Sequence, residues 1–586
     1  MGSKEEEQRG ISRRSFVKGA VTGVVGGVVV GAAETTLSAQ PKESKTGIPK
    51  KWDYQADVVI VGLGGAGACA AIEAFDHKAT VLILEKQPKA THYSNTRMSG
   101  GIFHTPDPTG SRAGLESLLQ GMMSGENLPW KLEGEQPDKM PEMAKLFAEG
   151  ELQINAWLKT IDPELVLEPS GSSYFTMYPG AKEAKYMSTI ARYPDSRKAP
   201  EEVELFHKYD LPKLQKSRGE ALMHAIVEVG IKKRASGIQI LYRTPAKRIV
   251  MDRGEVIGVV ALQEGKEIAC KGKKAVILAC GGYEYNKEQR KAFLEGPGLK
   301  GWCFYGTPDN TGDGIEMAIQ IGAGMAKVGK AASRIETAVP YGRGYQETGL
   351  KMGIQAEKST PNSIIVDNFG NRYCNENDIG TGAWRYQFYK MAVYYDMYAM
   401  DYPRIPSYCI FDETRRAGTP MARSGPVAYG MIPWSKDNMR AIQEGWILKG
   451  ETIEDLAAKI KAFPDNKNKM NGTTLAKSVS DWNAYCAAGK GDPDFKRPIA
   501  QMAPIVTPPF YAMPLYAGGP NTKGGIDANA QRQVLDWRGK VIPRFYTAGE
   551  ISSVFKWTYQ AGGNVTECIV CGRIAGRNAA ALKSRA

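Results

Sequence analysis

From Ala56 to Lys86 the chain reads ADVVIVGLGGAGACAAIEAFDHKATVLILEK, an apolar run, a glycine-rich turn, a small-residue stretch and a second apolar run closed by an acid. This order predicts a strand, a helix and a second strand, a complete βαβ unit. Gly62 permits the tight turn, Gly64 lets the backbone approach a pyrophosphate beside Gly65, and Gly67 lets the helix pack against the strand. The helix start offers free N–H groups to phosphates, and Glu85 is placed to receive a ribose hydroxyl. Two later apolar runs end in similar glycine turns: AVILACGGYEYN from Ala275 to Asn286, and VIPRFYTAGE from Val541 to Glu550.

Length and composition set the scale. A chain of 586 residues with 42% hydrophobic content is too long for one ordinary domain and fills more than one core. The 65 glycines and 33 prolines are spread along it, so they read as turns and close approaches. A formal charge of +13 comes from scattered Lys and Arg without a basic run interleaved with aromatics, which argues against nucleic acid and fits an anionic substrate or an acidic redox partner. At the amino end, SRRSFVKG (Ser12 to Gly19) and the small apolar stretch Ala20 to Ala33 form a targeting signal. Arg13, Arg14, Phe16 and Lys18 resemble a twin-arginine export signal, with Leu37-Ser38-Ala39 as cleavage site, so residues 1–39 are expected to direct export through the twin-arginine translocase. That route carries folded proteins and argues for a bound prosthetic group. The nine cysteines are an odd number lying largely in apolar runs, so buried thiols rather than disulfides are expected.

The segment HYSNTRMSGGIFHTP, His92 to Pro106, places Asn95, Thr96, Ser99, Gly100 and Gly101 where a second loop reaches a diphosphate and a flavin ring, favouring FAD over a nicotinamide cofactor. VIPRFYTAGE, with Gly549 and Glu550, resembles the closing flavin-binding strand of flavoproteins with two dinucleotide folds, which implies that Glu550 holds a ribityl hydroxyl. AVILACGGYEYN, with Gly281 and Gly282, resembles the strand and turn near the adenine side, and NTGDGIEMA, with Asp313, follows it. Taken in order, these segments resemble the flavoprotein family of soluble fumarate reductases, urocanate reductases and 3-ketosteroid dehydrogenases over nearly all residues after the signal. The resemblance implies an α/β fold: a split Rossmann-like FAD-binding domain (40–329 and 505–586) with an inserted α+β capping domain (330–504), FAD being held non-covalently. PNSIIVDNFGNRYCNEN (Pro361 to Asn377) and SYCIFDE (Ser407 to Glu413) are similar to elements of that cap.

Within the family, fumarate reductases clamp two carboxylates with histidines and arginines. Here all five histidines lie in the first half, the family's His-Thr-x-Gly-Gly reads NTKGG with Asn521 and Lys523, and the arginine before the closing Gly-Gly-Asn is Gln560. A dicarboxylate clamp is therefore not expected. The ketosteroid dehydrogenases resemble the chain more closely at Thr522-Lys523-Gly524-Gly525, Ala548-Gly549-Glu550, and Thr558-Tyr559 with Gly563. This implies that the Tyr559 hydroxyl and the Gly563 N–H hold a substrate carbonyl as it becomes an enolate. It also brings Tyr174 or Tyr178, and Tyr341 or Tyr345, to the substrate, and leaves Arg385 or a cap tyrosine to move the proton. The closing helix, with Gly562 and Asn564, is expected to aim its N-terminus at the flavin. Cys568 and Cys571 lie three apart on it with neither a following histidine nor further ligands nearby, so they read as core packing and no metal is expected.

The reaction implied is hydride transfer from flavin N5 that reduces a C=C bond conjugated to a carbonyl. Outside the cytoplasmic membrane there is no NADH pool, so a cytochrome or quinone-linked partner is expected to supply electrons in the periplasm. A ketosteroid-type dehydrogenation, a fumarate reductase-like reduction and a non-catalytic electron shuttle remain as alternatives.

Overall fold

The apolar run at 56–61 forms β1 (Tyr54–Val61), followed by helix α1 (Gly65–Asp76) and β2 (Val81–Leu84). Val58, Ile60, Val81 and Ile83 enter one core with Ala68 and Ile72 of α1, whereas Val59, Val61, Leu82 and Leu84 enter a second core on the opposite face. Both faces are covered, which is why these strands are apolar without alternation. β1 pairs in parallel with β2 on one side and on the other with β3 (Lys266–Leu278), and β3 pairs in parallel with β4 (Val541–Thr547). The sheet runs 533–535, β4, β3, β1, β2, 238–241, with the hairpin 246–252 and 255–263 laid along the early half of β3. The computed structural model describes residues 47–124, 140–172, 178–193, 218–294, 301–331, 334–354, 356, 360–379, 389–422, 432, 434–555 and 562–585. The predicted export signal, 1–39, lies outside the described residues.

Register decides where the turns land. Val61 stands opposite both Leu84 and Leu278, and Leu278 opposite Thr547, so four strands end level with one another. Segments far apart in sequence thereby bring their following turns to one edge, the carboxyl edge at which open parallel sheets bind ligands. The last helix, α2 (Gly563–Ala581), lies close across α1. A Cβ on Gly572 would stand 2.5 Å from the Ala66 carbonyl oxygen, and one on Gly576 would stand 2.3 Å from that of Ala70, so the small residues set the helix spacing.

A second, mixed sheet runs 302–304, 352–354, 334–339, 510–519, 407–412, 363–366, with 448–450 also paired to 510–519. Its faces alternate in the same way: Ile365, Cys409, Phe411 and Met513 enter one core, and Ile364, Val366, Tyr408 and Ile410 another, under helices Ile453–Ala462 and Gly472–Ala488. The sheet takes an edge strand from 302–304 and a central strand from 510–519, both outside the 330–504 span drawn from the sequence. Between the sheets the chain passes out through 325–331 and back through 522–526, and these two stretches pair antiparallel.

Candidate active site

A cavity opens at the carboxyl edge of the first sheet. On its wall stand Gly62, Gly64 and Gly65 after β1, Glu85 after β2, and Gly281 after β3. Asn95, Thr96, Ser99, Gly100 and Gly101 come from the next loop, Asp313 from the helix after the β3 turn, Glu550 from the end of β4, and Gly562 and Asn564 from the start of α2. The level strand ends are what unite these segments. Gly62 adopts φ +100°, and its N–H donates to the Leu84 carbonyl at 2.8 Å, which closes the turn against β2. The Gly65 N–H, at the start of α1, donates to Thr96 Oγ1 at 3.3 Å, joining the glycine turn to the second loop.

Glu85 is fixed from below. Its two carboxylate oxygens accept from the Leu63 N–H at 2.8 Å and the Gln87 N–H at 2.7 Å. Burial nevertheless pushes its carboxyl above the usual range. His92 Nε2 lies 3.7 Å from Glu85 Oε2, buried and with no hydrogen-bond partner among the described residues. An orphaned ring nitrogen beside a buried acid fits the ribose of a dinucleotide, whose hydroxyls both donate and accept. Burial, with Arg97 nearby, lowers the His92 pKa to about 3, so the ring is neutral there.

That depression has a testable sign. An unfolded chain protonates His92 below its usual value while the folded one does not until about 3, so the unfolded state binds the extra proton between those limits. His92 therefore withdraws stability as pH falls from about 6.5 toward about 3. His92→Gln should flatten the fall in denaturant-derived stability across that window by up to one proton. An unchanged slope would mean that the ring charges in the folded state.

Glu550 faces the cavity from the end of β4. Its Oε1 accepts from the Thr522 N–H at 3.1 Å and the Thr522 hydroxyl at 3.0 Å, while Oε2 accepts from the Asn95 and Asn310 amides at 3.2 and 3.4 Å. At the start of α2, Lys523 Nζ donates to Asn564 Oδ1 at 2.8 Å and lies 3.3 Å from Glu567 Oε2. Glu567 also accepts from Ser553 Oγ and the Phe555 N–H, each at 2.8 Å, so this buried pair ties the helix start to the segment after β4. The Asn564 amide in turn donates to Asn521 Oδ1 at 2.5 Å, and both asparagines stand on the wall. The position where the family has a histidine thus carries Asn521, and Lys523, two residues on, is a buried lysine that organises the helix end.

Several expected residues stand elsewhere. Gly67 lies behind the wall: a Cβ there would be 2.0 Å from the Gly62 oxygen, so it serves helix packing as the spacing predicts. Gly549 packs against Ala66, and Gly282 makes room for carboxyl groups behind the cavity, so neither touches the cofactor space directly. Gly563 opens α2 next to Phe555 and His104 without lining the cavity. Tyr178 is buried in the core that includes α1, and Tyr345 is 37% exposed on the helix Gly342–Thr348; neither lines this cavity. Tyr559, Arg385 and Tyr174 lie outside the described residues. Cys571 is buried as expected, but Cys568 reaches the wall between Gly65 and Thr96, and burial pushes its thiol up to about 12, which keeps it protonated. His92 and Asn310 were not assigned from sequence, since as isolated polar residues in turns they carry no spacing signal; Asn521 was marked only as standing in the family's histidine position.

A parallel sheet with a glycine turn, a ribose-facing acid and a second loop at its carboxyl edge defines a dinucleotide-binding protein. The chain belongs to the FAD binding domain family, whose pattern it matches over residues 57–566, and it is an FAD-dependent oxidoreductase. It is similar to the digoxin reductase of Eggerthella lenta, with 28% identity over 98% of each chain. It is also similar to the 3-oxosteroid 1-dehydrogenase of Mycolicibacterium smegmatis, with 25% identity over 90% of this chain and 97% of that one. The fold matches that of the 3-ketosteroid delta1-dehydrogenase from Sterolibacterium denitrificans with a TM-score of 0.70 at 22% identity, covering 90% of this chain and 99% of the other.

Proposed function

We propose that the protein reduces a C=C bond conjugated to a carbonyl, outside the cytoplasmic membrane, with electrons from a cytochrome or quinone-linked partner. The observation that carries this reading is the start of α2 on the cavity wall, where Gly562 takes φ +95° and Asn564 follows. A helix start concentrates partial positive charge, which stabilises an oxygen that gains negative charge as the double bond is reduced. FAD, when bound, supplies the hydride. The Gly563 N–H, with the Tyr559 hydroxyl, is assigned to the substrate carbonyl, and Arg385 or a cap tyrosine to the proton.

Among the described lining residues the one permanent cation is Lys86, and Asp313 neutralises it at 2.8 Å. That cavity is the one assigned to FAD, so the preference for an uncharged enone over a dicarboxylate rests on Asn521 and Gln560, which stand where the family's clamp has a histidine and an arginine. Relatives named as a digoxin reductase and a 3-oxosteroid dehydrogenase fit the same chemistry in its two directions. Export rests on Arg13 and Arg14, and the choice of electron partner rests on export. The dehydrogenase direction is the second reading, favoured by Thr522-Lys523-Gly524-Gly525.

The test is anaerobic. Bound FAD is reduced chemically and its reoxidation followed with enones, ketosteroids, aryl enoates and dicarboxylates. Fast reoxidation by an enone is expected, with dicarboxylates slow. If only the saturated ketones react, by bleaching oxidised FAD, the direction is reversed; if no compound reacts, the catalytic reading fails. Rapid reduction by NADH alone would remove the argument for an external partner.

A further inference from the structure

Behind the cavity wall a second carboxyl group meets Glu550. Glu284 follows the β3 turn and is fully buried. The Asn95 amide donates to Glu284 Oε1 at 3.2 Å as well as to Glu550 Oε2, and the Asn310 amide donates to the same two oxygens at 3.1 and 3.4 Å. Two amides thus bridge one oxygen of each carboxyl group. The remaining two oxygens converge over Gly282, where a Cβ would lie 2.1 Å from Glu550 Oε1 and 2.7 Å from Glu284 Oε2. Glycine is required there because the side chains of the pair occupy that space. Glu550 Oε1 already receives two donors from Thr522, while Glu284 Oε2 is enclosed and, among the described residues, no other side chain or backbone group donates to it.

Two ionised carboxylates this close in a dry site would repel strongly, and the bridging amides neutralise neither charge. One proton on Glu284 Oε2, donated to Glu550 Oε1, satisfies the orphaned oxygen and removes the repulsion together. We propose that Glu284 stays protonated at neutral pH and acts as a positioning residue, its hydrogen bond fixing the Glu550 carboxylate in the orientation that receives FAD.

Burial raises the proton affinity of both groups, and because Glu550 accepts four donors over its two oxygens whereas Glu284 accepts only on Oε1, the shared proton belongs on Glu284. The other titratable groups near the pair are Arg290, Tyr285, Cys568, Arg97 and Asp309. Arg290 donates to the Glu284 main-chain carbonyl at 2.6 Å and stays a cation. Burial drives the Tyr285 hydroxyl and the Cys568 thiol upward, so both stay neutral. Arg97 and Asp309, on the turns that carry the two asparagines, are tied to Glu220 and Arg343. The pair therefore titrates as one unit. Raising the pH strips the shared proton, leaves two adjacent carboxylates and loosens FAD.

The experiment measures the FAD dissociation constant of the full chain by flavin fluorescence from neutral to alkaline pH, for the native protein and for Glu284→Gln and Glu284→Ala. Glutamine imitates a neutral acid, so Glu284→Gln should bind FAD within about threefold of native and lose the alkaline weakening, whereas Glu284→Ala should bind about tenfold or more weakly. Infrared difference spectra should show a protonated carboxyl carbonyl band in the native protein that Glu284→Gln lacks. Glu284→Gln as weak as Glu284→Ala would overturn the proposal, because it would require an ionised Glu284. So would a native protein with no such band, or with an FAD affinity indifferent to alkaline pH, a result that needs no variant to fold. The outcome is independent of which substrate the enzyme reduces.

Discussion

Gly62→Ala should purify without FAD. The residue sits at φ +100°, where an L side chain costs about 1–3 kcal/mol, and its Cβ would be 2.6 Å from the Ala279 oxygen and 2.9 Å from the Cys280 Cα. Both are backbone atoms and cannot rotate aside. The turn after β1 would have to separate from the turn after β3, and the second of these carries Gly281 on the wall and leads into Glu284. A 2.8 Å hydrogen bond from the Gly62 N–H to Leu84 resists the same movement from the other side. The strain therefore falls on the cofactor cradle. Gly254→Ala is the matched control: its φ is +81°, but nothing lies within 4 Å of its Cβ, so it should cost only about 1–2 kcal/mol and keep FAD. The ratio of flavin to protein absorbance reads both. A fully loaded Gly62→Ala would show that the two turns yield more readily than their contacts imply.

Glu567→Ala should give a comparable loss in stability. Lys523 and Glu567 side chains are 1% and 2% exposed, so removing the acid leaves a buried cation facing a gap and deprives Ser553 and the Phe555 N–H of their acceptor. Breaking a buried pair on one side costs about 3–5 kcal/mol, measurable by chemical denaturation. Replacing both residues with methionine should recover much of that loss, because no lone charge remains. FAD should stay weak in the double variant, since Lys523 no longer holds Asn564 at the wall. Single and double variants of equal stability would mean that the ammonium finds water or another acceptor.

Local pattern carried the nucleotide half of the site because its residues are contiguous. Within Ala56 to Glu85 the turn, helix and acid are fixed by adjacent geometry, and the structure places Gly62, Gly64, Gly65 and Glu85 on one wall. Glu550 and Asn564 were legible only through resemblance, since nothing in a single sequence states that β4 pairs with β3. The tyrosines were drawn from resemblance alone. Tyr178 and Tyr345 occupy segments of suitable composition, yet which face of an element a ring takes depends on packing partners from distant segments. Glu284 was hidden for a related reason: a glutamate after a glycine turn reads as solvent-facing until Gly282 is seen to make room for two carboxyl groups.

The level ends of β1, β2, β3 and β4 also constrain the order of events during synthesis. A ribosome makes the glycine turn at 62 early, but the wall that Glu550 supplies, and the helix start at 562, come far later in the chain. Until then β3 lacks its outer neighbour β4, and α1 lacks the helix that packs on Ala66 and Ala70. Cofactor loading thus waits until β4 and α2 have been made, and a nascent chain halted before residue 541 has half of a nucleotide clasp and nothing to close it.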